Sequence, residues 1–345
     1  MFGLDISDRM LRLVALKKKG PNISIESANE IPVPPGVINE GEISKPELLY
    51  PIISTLIQTA KPKKDRSKKV VACLPERKSF IKVLNLPIDT EITDDIVNTE
   101  LANHIPEDLS TMYLDWKKIN ENSESEAVLV GAVPRSIVES YQEVINNANL
   151  VPYVLEIESA AIVRSIIPEG SGNHNEGVLV IDIGLDRTSF IIYDHGTIQF
   201  TSAVPEISGN LMTSLIMKNL SLSYDKAEKA KKLGGFSKTI GKGAVAKVLD
   251  DQLTSLIGKI KQVISYYQGH HTDQSHISNI ILTGGGANLV DIENQLALKL
   301  KLKVSKANSF LKITKNNSDL ITAKNQSSFA TAIGLALRAL EYDKS

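Results

Sequence analysis

The chain has 345 residues, enough at roughly 150 per domain for about two domains with a substantial core. Its 39 Lys and Arg against 40 Asp and Glu leave a net charge of −1, which excludes a general electrostatic pull onto nucleic acid or anionic lipid. A hydrophobic content of 42% with 23% charged residues excludes a disordered or fibrous chain, and a single cysteine, Cys73, excludes an internal disulfide and any cysteine-cluster metal site.

The opening Met1-Phe2-Gly3-Leu4-Asp5 lacks the basic and apolar regions of a secretory leader. No window reaches the roughly 18 apolar residues of a membrane span, so the expected location is the cytoplasm. A short strand ends at Asp5, a second runs from Met10 to Leu16, a turn falls at Lys19-Gly20, and a third strand lies near Ile23 to Ile31. The charge run Lys61-Pro62-Lys63-Lys64-Asp65-Arg66-Ser67-Lys68-Lys69 has no interleaved aromatics to stack bases. It reads as a solvated linker, with membrane-surface contact as the alternative. Cys73 sits in the apolar stretch Val70 to Leu74 and reads as a buried structural thiol.

From Lys78 to Leu155 the pattern is strand (Phe80 to Leu84), helix (Ile92 to His104), strand (Met112 to Ile119), strand (Ala127 to Val133), helix (Ile137 to Ala148) and strand (Tyr153 to Ile157). This predicts an inserted α+β subdomain. Val178 to Ile181 then runs into Asp182-Ile183-Gly184, followed by strands at Ser189 to Tyr193 and Thr197 to Ala203 around a turn at Asp194-His195-Gly196. The N-terminal design thus recurs, with Asp182 lying 177 positions after Asp5, which predicts two similar lobes and a cleft between them.

Ser208-Gly209-Asn210 opens a helical segment through Leu211, Leu215 and Ile216, and a helix from Tyr224 to Leu233 stops at Gly234-Gly235. The 3.6-residue spacing of Val248, Leu249, Leu253, Leu256, Ile257, Ile260, Val263, Ile264 and Tyr267 predicts one long core helix from Val245. A strand at Ile280 to Leu282 breaks at Gly284-Gly285-Gly286 and passes to a helix near Val290 to Leu300. The last helix, Phe329 to Leu340, carries Ala330, Ala332, Gly334 and Ala336, small residues that would admit another backbone closely. The expected divisions are 1–77, 78–155, 156–176, 177–325 and 326–345.

Several of these residues suit a nucleotide. Asp182, Gly184 and Thr188 place an acid at a strand end, a glycine in the turn and a hydroxyl on the next strand, a pattern that fits phosphate oxygens and a magnesium ion held by Asp182 through water. A plain hairpin explains the same residues. Thr283-Gly284-Gly285-Gly286-Ala287 would let a flat ligand lie on bare backbone at a helix start, against the alternative of a tight turn. Glu228 and Lys231, at i and i+3, could grip ribose hydroxyls and the base or phosphates, or form a surface ion pair. His270 and His271 read as a polar loop rather than a metal site.

The order of these segments resembles the type IV pilus assembly protein PilM family over nearly the whole chain, and more loosely the division protein FtsA. Further segments carry the likeness: Pro34-Pro35-Gly36-Val37-Ile38 with Gly41 and Ile43, Glu156-Ile157-Glu158-Ser159-Ala160-Ala161, Ala332 to Arg338, and the insertion. The resemblance implies an α/β fold of two actin-like ATPase lobes, ribonuclease-H-like repeats, with ATP or ADP and magnesium in the cleft. By position, Asp5 and Ser7 would belong to the first phosphate loop, and Asp182, Gly184 and Thr188 to the second. Gly209 joins the cofactor-binding positions. Glu228 and Lys231 would serve ribose and base, Gly284, Gly285 and Gly286 the adenosine turn, and Asp5 and Asp182 the magnesium through water. Glu158 falls at the water-positioning acid, with an exposed helix-start carboxylate as the alternative.

The first loop departs from the family pattern, because Asp5-Ile6-Ser7-Asp8-Arg9 lacks the glycine that relatives carry soon after the Asp. Asp8 would face the γ-phosphate unless Mg²⁺ or Arg9 intervenes, and the loop predicts at most weak ATP turnover. The implied role is a scaffold of a pilus or related secretion machine that docks the cytoplasmic tail of a PilN-like inner-membrane protein, alongside other platform components. Membrane contact would be indirect, nucleic acid is not a partner, and self-association as a homo-oligomer is left open. Tyr113 and Trp116 are either anchors for that tail or core residues. The rival readings are an FtsA-like filament protein and a small-molecule kinase using Asp8, Asp94 or Asp95. A chaperone-like ATPase is disfavoured by a chain that stops at Ser345, straight after the last core helix, and an FtsA-like membrane helix by the short, mixed-charge end from Ala339 to Ser345.

Overall fold

The computed structural model describes residues 1–62, 67–87, 91–122, 125–168, 171, 176–270 and 276–342. Residues 63–66 of the charge run, His271 and the terminal 343–345 lie outside that set.

The first half begins with the expected meander of β1 (Phe2–Ile6), β2 (Met10–Lys19) and β3 (Asn22–Pro32), followed by a small hairpin of β4 (Ile38–Asn39) and β5 (Glu42–Ile43). Helix α1 (Pro46–Thr59) starts on a proline, whose missing N–H costs nothing at a helix start, and leads to β6 (Lys69–Leu74). Next come β7 (Phe80–Leu86), α2 (Asp94–Leu101), β8 (Met112–Asn122), β9 (Ser125–Pro134), α3 (Arg135–Asn147), β10 (Val151–Ile157) and α4 (Glu158–Ile166).

The second half repeats the meander as β11 (Glu176–Ile183), β12 (Thr188–Asp194) and β13 (Thr197–Val204). Helices α5 (Gly209–Leu220), α6 (Tyr224–Gly234), α7 (Ala244–Val248) and α8 (Asp250–His270) follow. The chain closes with β14 (His276–Thr283), α9 (Ile292–Leu300), β15 (Lys303–Lys306), β16 (Lys315–Asn316) and α10 (Ala330–Tyr342).

Strand order makes the repeat explicit. One sheet runs β10-β6-β1-β2-β3, with β16 added at its edge, and the other runs β15-β14-β11-β12-β13 before continuing into β7-β9-β8. In both, the first strand of the meander pairs antiparallel with the second and parallel with a later strand. Cys73, on β6, is free and buried as expected.

The insertion is smaller than the sequence predicts. Residues 135–155 do not belong to it: β10 pairs in parallel with β6, and α3 sets Tyr141 and Val144 into the same core as Leu49 and Ile53 of α1. The inserted unit is therefore β7, α2, β8 and β9, closed over its own core of Leu84, Leu86, Val97, Leu101, Val128 and Val130. It joins the second sheet through β7 beside β13, at Lys82 opposite Phe200. Two helices also differ from expectation. Helix α2 is trimmed to Asp94–Leu101, beginning where the Thr93 hydroxyl accepts the Ile96 N–H at 3.4 Å. The long helix from Val245 is broken at Leu249 (φ −92°, ψ 2°) into α7 and α8.

Helix α10 crosses the first sheet and α4 backbone to backbone, as its small residues predict. A Cβ on Gly334 would overlap the Ala161 carbonyl, and one on Gly3 would lie 2.5 Å from the Ala336 nitrogen. Arg164 fastens the crossing by bonding both Glu156 and the Gly334 carbonyl. Gly334→Val has no room to relax against backbone, so it is expected to cost about 3 kcal/mol and to lower the melting temperature by about 6 °C. An unchanged melting curve would refute this packing.

Candidate functional site

The two meanders bring their first strands' penultimate residues, Asp5 and Asp182, to the cleft. Asp5 is 3% exposed, lies 3.5 Å from Arg12 Nη1, and accepts a long bond from the Cys73 thiol at 3.6 Å. Burial raises its carboxyl to about 6 against the opposing pull of Arg12. Asp182, partly buried, is pushed up to about 7 by desolvation and by the neighbouring Glu158 charge, with Arg187 acting the other way. Two carboxylates that resist ionisation in a shared cleft form a donor set suited to a hydrated cation. Among the described residues no three His, Cys, Asp or Glu side chains converge to hold a metal directly.

The turns after these strands are held by their own polar groups. The Ser7 N–H and hydroxyl both donate to the Met10 carbonyl, at 3.2 and 2.8 Å, and the Gly184 N–H donates to the Arg187 carbonyl at 2.9 Å. Thr188 is fully buried and donates its hydroxyl to the Ile207 carbonyl at 2.7 Å. Both hydroxyls thus donate to backbone carbonyls, Ser7 within its own turn and Thr188 to the segment before α5.

Arg187 is the residue on which the cleft converges. It bonds Glu158 through Nη2, and its Nη1 lies 4.0 Å from Asp8 Oδ2. Burial alone would lower its pKa, but the adjoining Glu158, Asp8 and Asp182 charges outweigh that and hold the guanidinium protonated. Glu158 is 8% exposed and opens α4, so it is a buried partner of Arg187 and not an exposed helix-start carboxylate. Asp8 is buried too, with a carboxyl raised by that burial, and its Oδ1 accepts the Gly41 N–H at 2.9 Å. The cation that answers Asp8 is Arg187, whereas Arg9 faces Asp186 at 3.2 Å. Asp186 also accepts from Asn210 Nδ2.

Asp8, Arg9, Asp186 and Arg187, with Ile38, Asn39, Glu40 and Arg77, line a cavity of about 210 Å³. Arg9 Nη1 is buried with no hydrogen-bond partner among the described residues. Sequence reasoning did not single out Asp186 or Arg187 as site residues. The signal available was the Asp-Arg dipeptide in both turns.

The remaining expected residues line the second lobe. Gly209 opens α5, and its N–H donates to the Gly184 carbonyl at 3.0 Å. Lys231 is buried and donates to the Gly209 carbonyl (2.8 Å), the Thr213 hydroxyl (2.7 Å) and Glu228 (2.7 Å). Desolvation lowers its pKa, and the same contacts hold Glu228 below its ordinary value against burial. Glu228 and Lys231 are therefore an ion pair, the alternative reading of the sequence, but one whose lysine is inside. Gly284 has φ +78°, and a Cβ there or on Gly286 would overlap Asp182 or Ile183. Only Gly285 of the three has open space beside it, as a ligand-facing position requires. Asp94 accepts from the Trp116 indole at 2.7 Å in the inserted unit, where Trp116 packs on the core, whereas Tyr113 is 42% exposed beneath Arg135.

A family model described as "Type IV pilus assembly protein PilM" matches residues 3–340. The cell division protein FtsA of Buchnera aphidicola (subsp. Acyrthosiphon pisum) is 28% identical over 161 residues, covering 39% of this chain and 38% of FtsA. That of Enterococcus hirae is 27% identical over 192 residues, covering 50% and 43%. The chain thus spans about two fifths of the length of these curated relatives. Among solved structures, the "PilM-PilN type IV pilus biogenesis complex" matches with a TM-score of 0.82 at 22% identity, covering 98% of both chains. MreB5 of Spiroplasma citri bound to ADP matches with a TM-score of 0.58 at 13% identity, covering 99% and 97%. These likenesses establish the two-lobed, actin-like fold.

Proposed function

The chain belongs to the type IV pilus assembly protein PilM family, and from that membership we propose that it is an actin-like scaffold at the cytoplasmic face of a pilus or related secretion machine. It docks the cytoplasmic tail of a PilN-like inner-membrane protein, and an adenine nucleotide in the interlobe cleft sets its conformation. The observation that carries this reading is the family match across both lobes and the insertion, supported by the fold likeness to a protein solved with PilN. Among the described residues no helix is long and apolar enough to cross a membrane.

The cleft residues fit the nucleoside end of such a ligand. Lys231, paired with Glu228, bonds the Gly209 carbonyl, Gly209 bonds the Gly184 carbonyl two residues after Asp182, and Gly285 offers bare backbone. A bound magnesium nucleotide would supply the cation for Asp5 and Asp182, held through water.

A labelled peptide of the PilN-like tail encoded in the same genome, titrated with the full chain, tests the reading. Saturable binding with a micromolar Kd, shifted at least threefold by MgADP, is expected. Anisotropy that stays flat up to about 1 mM protein refutes the docking role.

A further inference from the structure

The two turns that face each other across the cleft carry the same dipeptide, Asp8-Arg9 in the first lobe and Asp186-Arg187 in the second. Their four side chains pair crosswise. Arg9 Nε lies 3.2 Å from Asp186 Oδ2, and Arg187 Nη1 lies 4.0 Å from Asp8 Oδ2. Arg9 and Asp186 are 177 positions apart in the chain, so the contact joins the two repeats. Each acid is anchored a second time within its own lobe, Asp8 by the Gly41 N–H and Asp186 by Asn210. Arg187 is held again by Glu158.

These ties occupy the space that the end of a phosphate chain would need. The groups assigned to the nucleoside, Glu228, Lys231 and Gly285, all lie on the second lobe, so each added phosphate would reach farther toward the first-lobe turn and Asp8. Near that turn the chain meets the carboxylates of Asp8, Glu158 and Asp186, while Arg187 already bonds Glu158 and faces Asp8, and Arg9 faces Asp186 with its buried Nη1 lacking a partner among the described residues. The N–H groups of Ser7 and Gly184 are already spent inside their turns. A short phosphate chain can use the open donor, but a third phosphate would have to displace a paired carboxylate.

Resting on the reading that the cleft takes an adenine nucleotide, we propose that the crossed Asp-Arg pairs stand in for a terminal phosphate as the bond between the lobes, so that the cleft selects adenosine di- or monophosphate over the triphosphate. The lobes are then drawn together without a γ-phosphate, and its presence or hydrolysis is not what closes them.

Calorimetric titration of the full chain with MgADP and with MgATP tests this. MgADP is expected to bind at least tenfold more tightly, and the double variant Asp8→Ser/Asp186→Ser to narrow that preference at least fivefold. Equal or tighter binding of MgATP by the native chain overturns the proposal, as does a preference that the folded double variant leaves intact. If the double variant does not fold, the native ratio decides alone. Binding of neither nucleotide, with melting curves unmoved at 5 mM of each, instead removes the nucleotide reading on which the proposal rests.

Discussion

Arg187→Met is expected to destabilise the chain by about 3 to 5 kcal/mol, the range for breaking a buried charge pair by removing one partner. The loss does not come from Arg187's own packing. Its guanidinium answers Glu158 and Asp8, both nearly buried, and tempers the raised carboxyl of Asp182. Without it those acids must either take up protons or sit ionised against one another. In a chain of this length such a loss lowers the melting temperature by about 5 to 10 °C. The double variant Arg187→Met/Glu158→Gln removes the stranded acid as well and should recover at least 1 kcal/mol, a coupling that a double-mutant cycle in urea reads directly. A loss under 1 kcal/mol for Arg187→Met, or strict additivity in the cycle, would show that the cleft does not depend on this arginine.

Which parts of this cleft were legible beforehand follows from the range of the interactions involved. The repeat was legible because it is written locally: an apolar strand ending in an acid, a turn, a strand, a tight turn and a strand, twice. The close crossing at Gly334 was legible because small residues at helical spacing have few other uses. The membership of β10 was not, because pairing with β6 joins residues separated by the whole inserted unit, and alternation in Val151–Ile157 says nothing about its neighbour. The insertion was bounded wrongly for that reason. The charge pattern shows the same limit. Asp8 was recognised as a charge that Mg²⁺ or the adjacent Arg9 would have to answer, whereas the fold brings Arg187 to it from the opposite lobe. The partners of the hydroxyls were not legible either, since Ser7 and Thr188 meet a backbone carbonyl close at hand. An unpaired carbonyl in a tight turn is costly enough to claim such a donor before any ligand arrives.

Stability should fall as the pH rises from about 4 to about 7, and Asp5→Asn should remove much of that slope. In the unfolded chain Asp5 loses its proton near 3.9, as model carboxylates do, but in the folded chain it keeps the proton to about 6. Between those values the folded state binds a proton that the unfolded state has released, so each increment of pH favours unfolding. The difference corresponds to roughly 3 kcal/mol, fully lost once the pH has passed the folded value. Asp182, held protonated to about 7, adds a loss of the same sign that extends toward neutrality, lessened by its partial exposure. Asp5→Asn keeps the shape and gives up the charge, so it is expected to gain about 2 to 3 kcal/mol at pH 8 and almost nothing at pH 4. Urea unfolding at the two pH values measures the difference, and a destabilised variant at pH 8 would mean that the Arg12 contact outweighs the burial cost. Magnesium acts on the same two carboxylates, competing with their protons. In the native chain the stabilisation given by MgADP should therefore grow between pH 6 and pH 8, while in Asp5→Asn it should be smaller and nearly flat. The two acids would then carry a cost that a hydrated cation relieves.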